Sequence, residues 1–242
     1  MINFLCGSFY WDYYLLGIIL VPGIIFAIIA QNKVNSTFNK YTNIMSESGR
    51  TASEVARIML NAAGCTDIRV AKIGGHLTDN YNHKQKTVSL SNSVYDSTSV
   101  ASIGIAAHEI GHVLQHKTHY FPIKLRTLAI YASNISSVLM WPLIIIGLMF
   151  NFLLTLEFGY MIALAGVAVF GLAVLVNLVT LPVEYNASKR ATEILSQSGL
   201  LTEEETSQAK QVLNAAALTY VAALVVSILN LLRFVLAIRS DD

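Results

Sequence analysis

Four long apolar stretches alternate with polar segments along the chain. They cover residues 13–30, 128–150, 160–183 and 215–238. Each has close to the 20 or so residues that an α-helix needs to cross a bilayer, so the pattern predicts four transmembrane helices. Polar residues interrupt the second and fourth stretches, and for these two a buried helix of a soluble core is the alternative.

The first apolar stretch is expected to remain as a membrane anchor. A secretory signal peptide begins with basic residues and ends at a cleavage site of small residues. Residues 1–10 contain no Lys or Arg, and no such cleavage site follows. We therefore interpret this stretch as a retained helix.

The polar segment of roughly 95 residues between the first two stretches is the only part that could form a water-soluble domain. A capping box at residues 51–54 predicts the start of a helix, which Gly64 ends. Two strand-like runs, 68–73 and 87–91, are expected to form a hairpin ahead of the next helix. Residues 88–92 are a candidate edge for an extended peptide, although an ordinary structural hairpin explains them equally well.

Composition supports a membrane protein. Hydrophobic residues make up 54% of the chain and charged residues 13%, whereas soluble domains carry about 25% charged residues. The formal net charge of +1 gives no reason to expect a nucleic-acid partner. Cys6 and Cys65 are too few and too far apart for a disulfide framework, which fits a reducing compartment.

The distribution of basic residues predicts the orientation in the membrane. Ten of the 16 Lys and Arg residues lie between Lys33 and Lys124, while residues 151–159 hold Glu157 and no base. Because basic loops stay in the cytoplasm, we expect the polar segment to face that side. Arg239, beyond the fourth stretch, mildly favours the opposite orientation.

A His-Glu-Ile-Gly-His pentapeptide is the strongest chemical signal in the chain. On a helix, His108 and His112 lie one turn apart on the same face, so both imidazoles can bind one metal ion. Glu109 would then face the bound water as a general base, as in zinc hydrolases. The alternative is a chance pattern of three solvated side chains, but apolar neighbours predict a buried helix, where an unpaired Glu would be costly.

A catalytic zinc site keeps three protein ligands, so a third must lie elsewhere. The metzincin pattern would place Gly and His at positions that here hold Gln115 and Thr118, which excludes that class. His116 and His119 are poor candidates, because His116 lies about 12 Å along the helix from His108. Glu184 is the remaining candidate, since two membrane crossings would return it to the side of the motif. A snorkelling surface carboxylate is its alternative.

At this point a family resemblance becomes visible. The chain resembles the YugP-like neutral zinc metallopeptidases of bacterial membranes in four features. They are residues 106–112, the run Leu-Pro-Val-Glu-Tyr-Asn-Ala-Ser-Lys-Arg-Ala at 181–191, residues 213–220 and the spacing of the apolar stretches. More distantly, the layout is similar to the HtpX-like membrane metallopeptidases. Ser188 stands where that group has Asp, and we expect it to replace the Asp at best as a hydrogen-bond partner of a ligand imidazole.

The resemblance implies a zinc site and its residues. It implies Zn²⁺ as cofactor, His108, His112 and Glu184 as ligands, and Glu109 as catalytic general base. The residue that stabilises the oxyanion is not implied, and five side chains could supply it: Tyr185, Asn186, Arg190, His76 and His119.

We therefore expect a mostly α membrane protein with about four transmembrane helices and a cytosolic α+β zincin-like unit. The expected division is an anchor at 1–30, a soluble zincin subdomain at 31–120, a transmembrane hairpin at 121–183, a third-ligand helix and cytosolic loop at 184–214, and a final transmembrane helix at 215–242.

The expected function is that of a zinc metalloendopeptidase, multi-pass in a bacterial plasma membrane, which cleaves peptide bonds with zinc-activated water. The expected partners are the lipid bilayer and polypeptide substrates at or near it; a homo-oligomer or a membrane-protein partner stays open. The main alternative is a non-proteolytic zinc-binding scaffold. A second alternative, an intramembrane site-2-type protease, would need a later Asp ligand, which the last spans lack. A third, a transporter, is weakened because most of the spans contain no charged residues.

Overall fold

The computed structural model describes residues 14–154 and 158–239, most of which are helical. Cys6, Glu157 and the beginning of the predicted anchor lie outside the described residues. The helices are α1 (Leu20–Thr42, preceded by a 3-10 turn at Leu16–Ile19), α2 (Ala52–Ala62), α3 (Val100–Lys117), α4 (Phe121–Leu153), α5 (Phe158–Ser198) and α6 (Glu203–Arg239). The strands are β1 (Arg69–Ile73), β2 (Asn80–Asn82) and β3 (Thr87–Ser91).

Three of the described helices are long and apolar enough to cross a membrane: α1, α5 and α6. Helix α4 is bent by 44° between Phe121–Asn134 and Val138–Asn151, and it becomes a fourth candidate if both halves form one span. Two features favour the bend. Pro142 lacks the amide that would donate to the Val138 carbonyl, and the Ser136 hydroxyl donates to the Ala132 carbonyl at 2.8 Å, a side-chain bond of a kind that often bends helices.

The described residues divide into two compact units. The first contains residues 14–29, 124–154, 158–181 and 220–239, which are the apolar parts of four helices. Its small internal core is formed by Met140, Ile144, Ala163, Val167 and Phe234. Many of its exposed side chains are large and apolar, as expected of helices whose outer face does not meet water.

The second unit contains residues 30–123 and 182–219. Helix α3 lies at its centre, and apolar side chains of α2, β3, α5 and α6 pack in the same core. The largest of these side chains are Met59, Leu90, Ile103, Ile110 and Leu195. Such a core around one helix holds the side chains of α3 in fixed rotamers.

Helix α2 begins and ends as its sequence predicts. The Glu54 amide donates to the Thr51 hydroxyl, and the Thr51 amide donates to the Glu54 carboxylate, which completes the capping box. Gly64 follows the helix with a φ of 61°, a left-handed conformation that favours glycine. This short-range prediction is confirmed.

The sheet differs from the predicted hairpin. Its strand order is β1-β3-β2, with β1 parallel to β3 and β2 antiparallel to β3. The prediction that residues 68–73 and 87–91 pair as a hairpin is therefore wrong, because the segment between them crosses over and contributes β2. The prediction of a free edge at 88–92 is also wrong, because β3 is the central strand and both its neighbours are in place.

Candidate metal centre

Helices α3 and α5 approach each other unusually closely at Gly111. A β-carbon added to Gly111 would lie 2.3 Å from the carbonyl oxygen of Ala187, well inside contact distance. Only glycine at this position allows the two backbones to touch. The close approach brings the turn that carries His108 and His112 against the turn of α5 that carries Glu184.

The structure brings the three predicted ligands together. The Nε2 atom of His108 lies 3.1 Å from the Glu184 Oε2 atom, and the Nε2 atom of His112 lies 3.5 Å from it. One ligand atom from each of the three residues falls within 4.8 Å of the others. Among the described residues, this is the group of His, Cys, Asp and Glu side chains with the arrangement of a metal site.

These distances fit zinc. A tetrahedral zinc ion with bonds of about 2.0–2.1 Å holds its ligand atoms roughly 3.3 Å apart. The two measured imidazole-to-carboxylate separations lie on either side of that value. Two imidazole nitrogens with one carboxylate oxygen are also a donor set found in catalytic zinc sites, which leave a fourth position open.

The electrostatics of the cluster favour a cation. Glu184, which lies beyond the apolar part of α5, is 2% exposed. Its burial opposes charge, but hydrogen bonds and charges from His108 and His112 hold the pKa of the Glu184 carboxyl well below its usual value. For His112, burial opposes protonation, while Glu184 and Glu109 act in the other direction and raise its pKa. A charged carboxylate therefore faces both imidazoles.

Hydrogen bonds on the far side of each imidazole fix the orientation of its ring. The Ser188 hydroxyl lies 3.0 Å from Nδ1 of His108, which confirms the sequence expectation for Ser188. Nδ1 of His112 lies 2.9 Å from the Gln115 side-chain oxygen, so that nitrogen carries the proton and donates. In the tautomer that carries its proton on Nδ1, the Nε2 atom keeps its lone pair for a metal.

Gln115 is the functional residue that the sequence reasoning missed. It is fully buried, and its amide nitrogen donates to the Val183 carbonyl at 2.7 Å and to the Asn186 side-chain oxygen at 3.1 Å. Gln115 thereby ties His112 to the turn of α5 that carries Glu184. The sequence contained one signal for Gln115. It is a polar residue of a largely apolar helix, three positions after His112, and this spacing places both side chains on the same face of the helix.

Glu109 lies beside the cluster and outside it. It is 8% exposed, and burial raises the pKa of its carboxyl, while the neighbouring His108 and His112 act in the opposite direction. Within the described part of the chain, the carboxylate has no hydrogen-bond or ion-pair partner. It is offset by about 100° around the helix from His108, so it can approach a molecule at the metal position without joining the ligands.

The remaining histidines of α3 and its C-terminal turn do not join the cluster. The ring of His116 stacks on His83 with centroids 4.0 Å apart, next to Tyr81. His119 is exposed just beyond the end of α3. Of the candidates for a third ligand, Glu184 is the one that lies with His108 and His112 among the described residues.

The candidates for oxyanion stabilisation have different surroundings. Asn186 accepts hydrogen bonds from Gln115 and Arg190, and Arg190 also lies over the Tyr120 ring at 5.6 Å. These contacts give Asn186 and Arg190 a positioning role around Gln115. Tyr185 is 45% exposed on α5, and His76 is exposed beside the Ser93 hydroxyl.

Comparison with known proteins identifies related sequences. Residues 16–239 match a family model described as "Putative neutral zinc metallopeptidase". The chain is 42% identical over 207 residues to the "Putative membrane protease YugP" of Bacillus subtilis (strain 168), a match that covers 86% of this chain and 89% of the relative. No solved structure matches the chain significantly.

Proposed function

Because the chain belongs to the neutral zinc metallopeptidase family, we propose that it is a membrane-embedded zinc metalloendopeptidase that cleaves polypeptides at or near the membrane surface. The observation that carries the proposal is the convergence of His108, His112 and Glu184 with the carboxylate of Glu109 beside them.

The ligand residues would hold the ion in a fixed place. A bound zinc ion would supply a Lewis acid that polarises the peptide carbonyl and makes water a better nucleophile near neutral pH. His112 would present an unprotonated Nε2 atom toward it because the Gln115 oxygen accepts the proton of the opposite nitrogen, and His108 would do the same with the Ser188 hydroxyl as acceptor. Glu184 contributes the negative charge that keeps a divalent cation in a buried position.

Glu109 would act as the general base. Its carboxylate accepts a proton from the attacking water and then passes that proton to the nitrogen of the departing amine. A carboxylate engaged by other side chains would be a weaker base. The lack of such partners for Glu109 among the described residues therefore supports this role.

Three apolar helices support the proposed membrane embedding, and α4 adds a fourth crossing if it spans. The ten basic residues between Lys33 and Lys124 favour a cytoplasmic location of the second unit. Substrates of this enzyme would then be cytoplasmic polypeptides, or the cytoplasmic segments of membrane proteins.

A comparison of Glu109→Gln with the wild type tests the proposal. We expect both purified proteins to hold one zinc per chain by elemental analysis. Glu109→Gln should cleave casein or a membrane-protein substrate roughly 10²- to 10⁴-fold more slowly, the range typical of a positioned general base. Glu193→Gln, an exposed carboxylate on α5, is the matched control and should cleave at the wild-type rate.

Three other outcomes would count against the proposal. Cleavage by Glu109→Gln at the wild-type rate would refute the mechanism. Loss of zinc from Glu109→Gln would place this residue among the ligands. A wild-type protein that holds zinc but cleaves no polypeptide would favour the scaffold alternative.

A further inference from the structure

A cavity of about 480 Å³ opens within the second unit between α1, α5 and α6. Its polar lining comes from Lys33, Thr37, Tyr185, Gln211 and Asn214, and Ala215 and Leu218 complete the wall. None of the metal-cluster residues lines it. The volume falls within the range of small-molecule sites in proteins.

Several residues with hydrogen-bond donors interrupt the mainly apolar lining of the cavity. Lys33 supplies a positive charge, and Thr37, Tyr185 and Asn214 supply hydroxyl or amide groups. The orientation of Gln211 is fixed, because its side-chain oxygen accepts a hydrogen bond from the buried Tyr41 hydroxyl at 2.7 Å. Its amide hydrogens are therefore available to an occupant.

No carboxylate contributes to the described lining of the cavity. A cavity with one fixed cation, several neutral donors and no opposing charge suits an anion with several oxygen acceptors. A phosphate group is the common biological anion with these properties.

The same three helices change from apolar to polar at the level of the cavity. Lys33 follows the apolar part of α1 within one turn, and Tyr185 comes one turn after the apolar part of α5 ends at residue 181. Leu218 lies where the apolar part of α6 begins. Lys and Tyr at such transitions are typical of residues at the level of lipid headgroups.

We propose that this cavity binds the phosphate-bearing headgroup of a membrane phospholipid, with Lys33 paired to the phosphate and Asn214 donating to its oxygens. The proposal rests on the membrane embedding proposed above and not on the peptidase chemistry. An occupant would also contact Tyr185, the residue after the ligand Glu184, so it would lie against the helix turn that supports the metal cluster.

Calorimetric titration of the full chain in dodecyl maltoside tests the proposal. The titration uses the Glu109→Gln background, so that peptidase failure cannot affect the readout. The probes are dihexanoyl phosphatidylglycerol, dihexanoylglycerol without phosphate, glycerol phosphate and inorganic phosphate. We expect saturable binding of the phospholipid and none of dihexanoylglycerol.

The variants Lys33→Gln and Asn214→Leu should each weaken phospholipid binding by roughly tenfold or more, since each removes a contact to a charged group. Lys210→Gln, an exposed cation on α6 that does not line the cavity, should bind as the unmodified background does. Folding of each variant is checked by its thermal unfolding midpoint.

Several results would overturn the proposal. Equal phospholipid affinity in Lys33→Gln and the Lys210→Gln control would remove the cavity from consideration. Binding of glycerol phosphate or inorganic phosphate as tight as that of the phospholipid would assign the cavity to a soluble phosphate compound. Saturable binding of a casein peptide that depends on Lys33, without phospholipid binding, would make it a polypeptide site.

Discussion

Glu184 is a buried acid whose position makes sense only with cationic or hydrogen-bonding partners. It is 2% exposed, and its Oε2 atom faces both ligand imidazoles. A buried, unpaired carboxylate is costly, so the protein keeps this charge for the contacts that it makes. The burial and the contacts of Glu184 are therefore the most direct indication that any single residue gives of a cation site.

We expect Glu184→Gln to lose zinc. An amide oxygen is a neutral and poorer ligand than a carboxylate, so zinc affinity should fall by more than the roughly 10- to 100-fold typical of changes around the ligands. Zinc content after dialysis against a weak chelator is the measurement, with the exposed Glu193→Gln as control. Full zinc occupancy and activity in Glu184→Gln would disprove the ligand assignment.

Gln115→Leu should weaken zinc binding while it leaves all three ligands in place. The substitution removes the acceptor for the Nδ1 proton of His112, and such losses reduce zinc affinity roughly 10- to 100-fold. Chelator competition measures the affinity. The control is Gln197→Leu, at an exposed position of the same helix as Glu184, and its zinc affinity should match that of the wild type. An unchanged zinc affinity in Gln115→Leu would show that His112 needs no such support.

The structure brings together the three side chains that the sequence named as candidate ligands, whereas one of the residues that orient them was not singled out. His108 and His112 follow from helix periodicity alone, and Glu184 followed from the number of predicted crossings. Gln115 could not be assigned, because the partner that makes it functional is formed only when α3 packs against α5. A local pattern shows which face a side chain occupies but not what lies opposite it.

At the scale of elements, the contact between α3 and α5 creates the site. Three residues here are small. Gly111 has no side chain, and Ala187 and Ala191 are fully buried alanines of α5. Larger residues would separate the helices and move Glu184 and Ser188 away from the imidazoles. The geometry of the metal cluster therefore requires the close packing of α3 against α5.

We expect Gly111→Ala to destabilise the protein and to reduce zinc binding. The added methyl group would meet the backbone of Ala187, and such overpacking costs about 1–3 kcal/mol, against a gain of roughly 0.5–1 kcal/mol from replacing glycine in a helix. Thermal unfolding and zinc content are the measurements.

Two other glycines provide graded controls for that experiment. Gly104→Ala meets the Ala209 side chain at 3.1 Å and should have a smaller effect, and Gly171→Ala meets nothing within 4 Å and should be neutral or stabilising. If Gly111→Ala were as stable as Gly171→Ala, the close approach would not matter.

The elements also show where sequence patterns stop being informative. The capping box of α2 involves residues three positions apart, so its prediction succeeded. The pairing of β1 with β3 depends on the path of residues 74–86, and two apolar runs in succession are compatible with either pairing direction. The existence of β1 and β3 was predictable, but β2 and the strand order were not.

At the scale of the whole molecule, the proposed membrane topology depends on the path of the bent helix α4. If both halves of α4 form one span, α4 and α5 together cross the membrane twice and return the chain to its starting side. A re-entrant α4 would give one crossing fewer and would leave Glu184 across the membrane from His108, although the two side chains are in contact. The apolar pattern predicted one span for this stretch, which the structure shows as a bent helix, and the pattern could not distinguish the two paths because both satisfy the same hydrophobic requirement.

Cysteine labelling in intact cells should separate the two topologies. In a background without native cysteines, we expect Gln85→Cys to be protected from a membrane-impermeant reagent and Leu154→Cys to react. Both positions are exposed in the described structure. Equal protection of the two cysteines would favour a re-entrant α4, and reaction at Gln85→Cys would reverse the proposed orientation.

The unit that carries the metal cluster is made from two separate parts of the chain, 30–123 and 182–219. During synthesis, the first part leaves the ribosome with His108 and His112 but without Glu184. The third ligand is made only after the apolar residues of α4 and the first half of α5. A nascent chain therefore cannot assemble a complete centre before those apolar segments exist and require a bilayer. For the proposed membrane peptidase, the order of the segments would therefore delay hydrolytic competence until the apolar segments have been made.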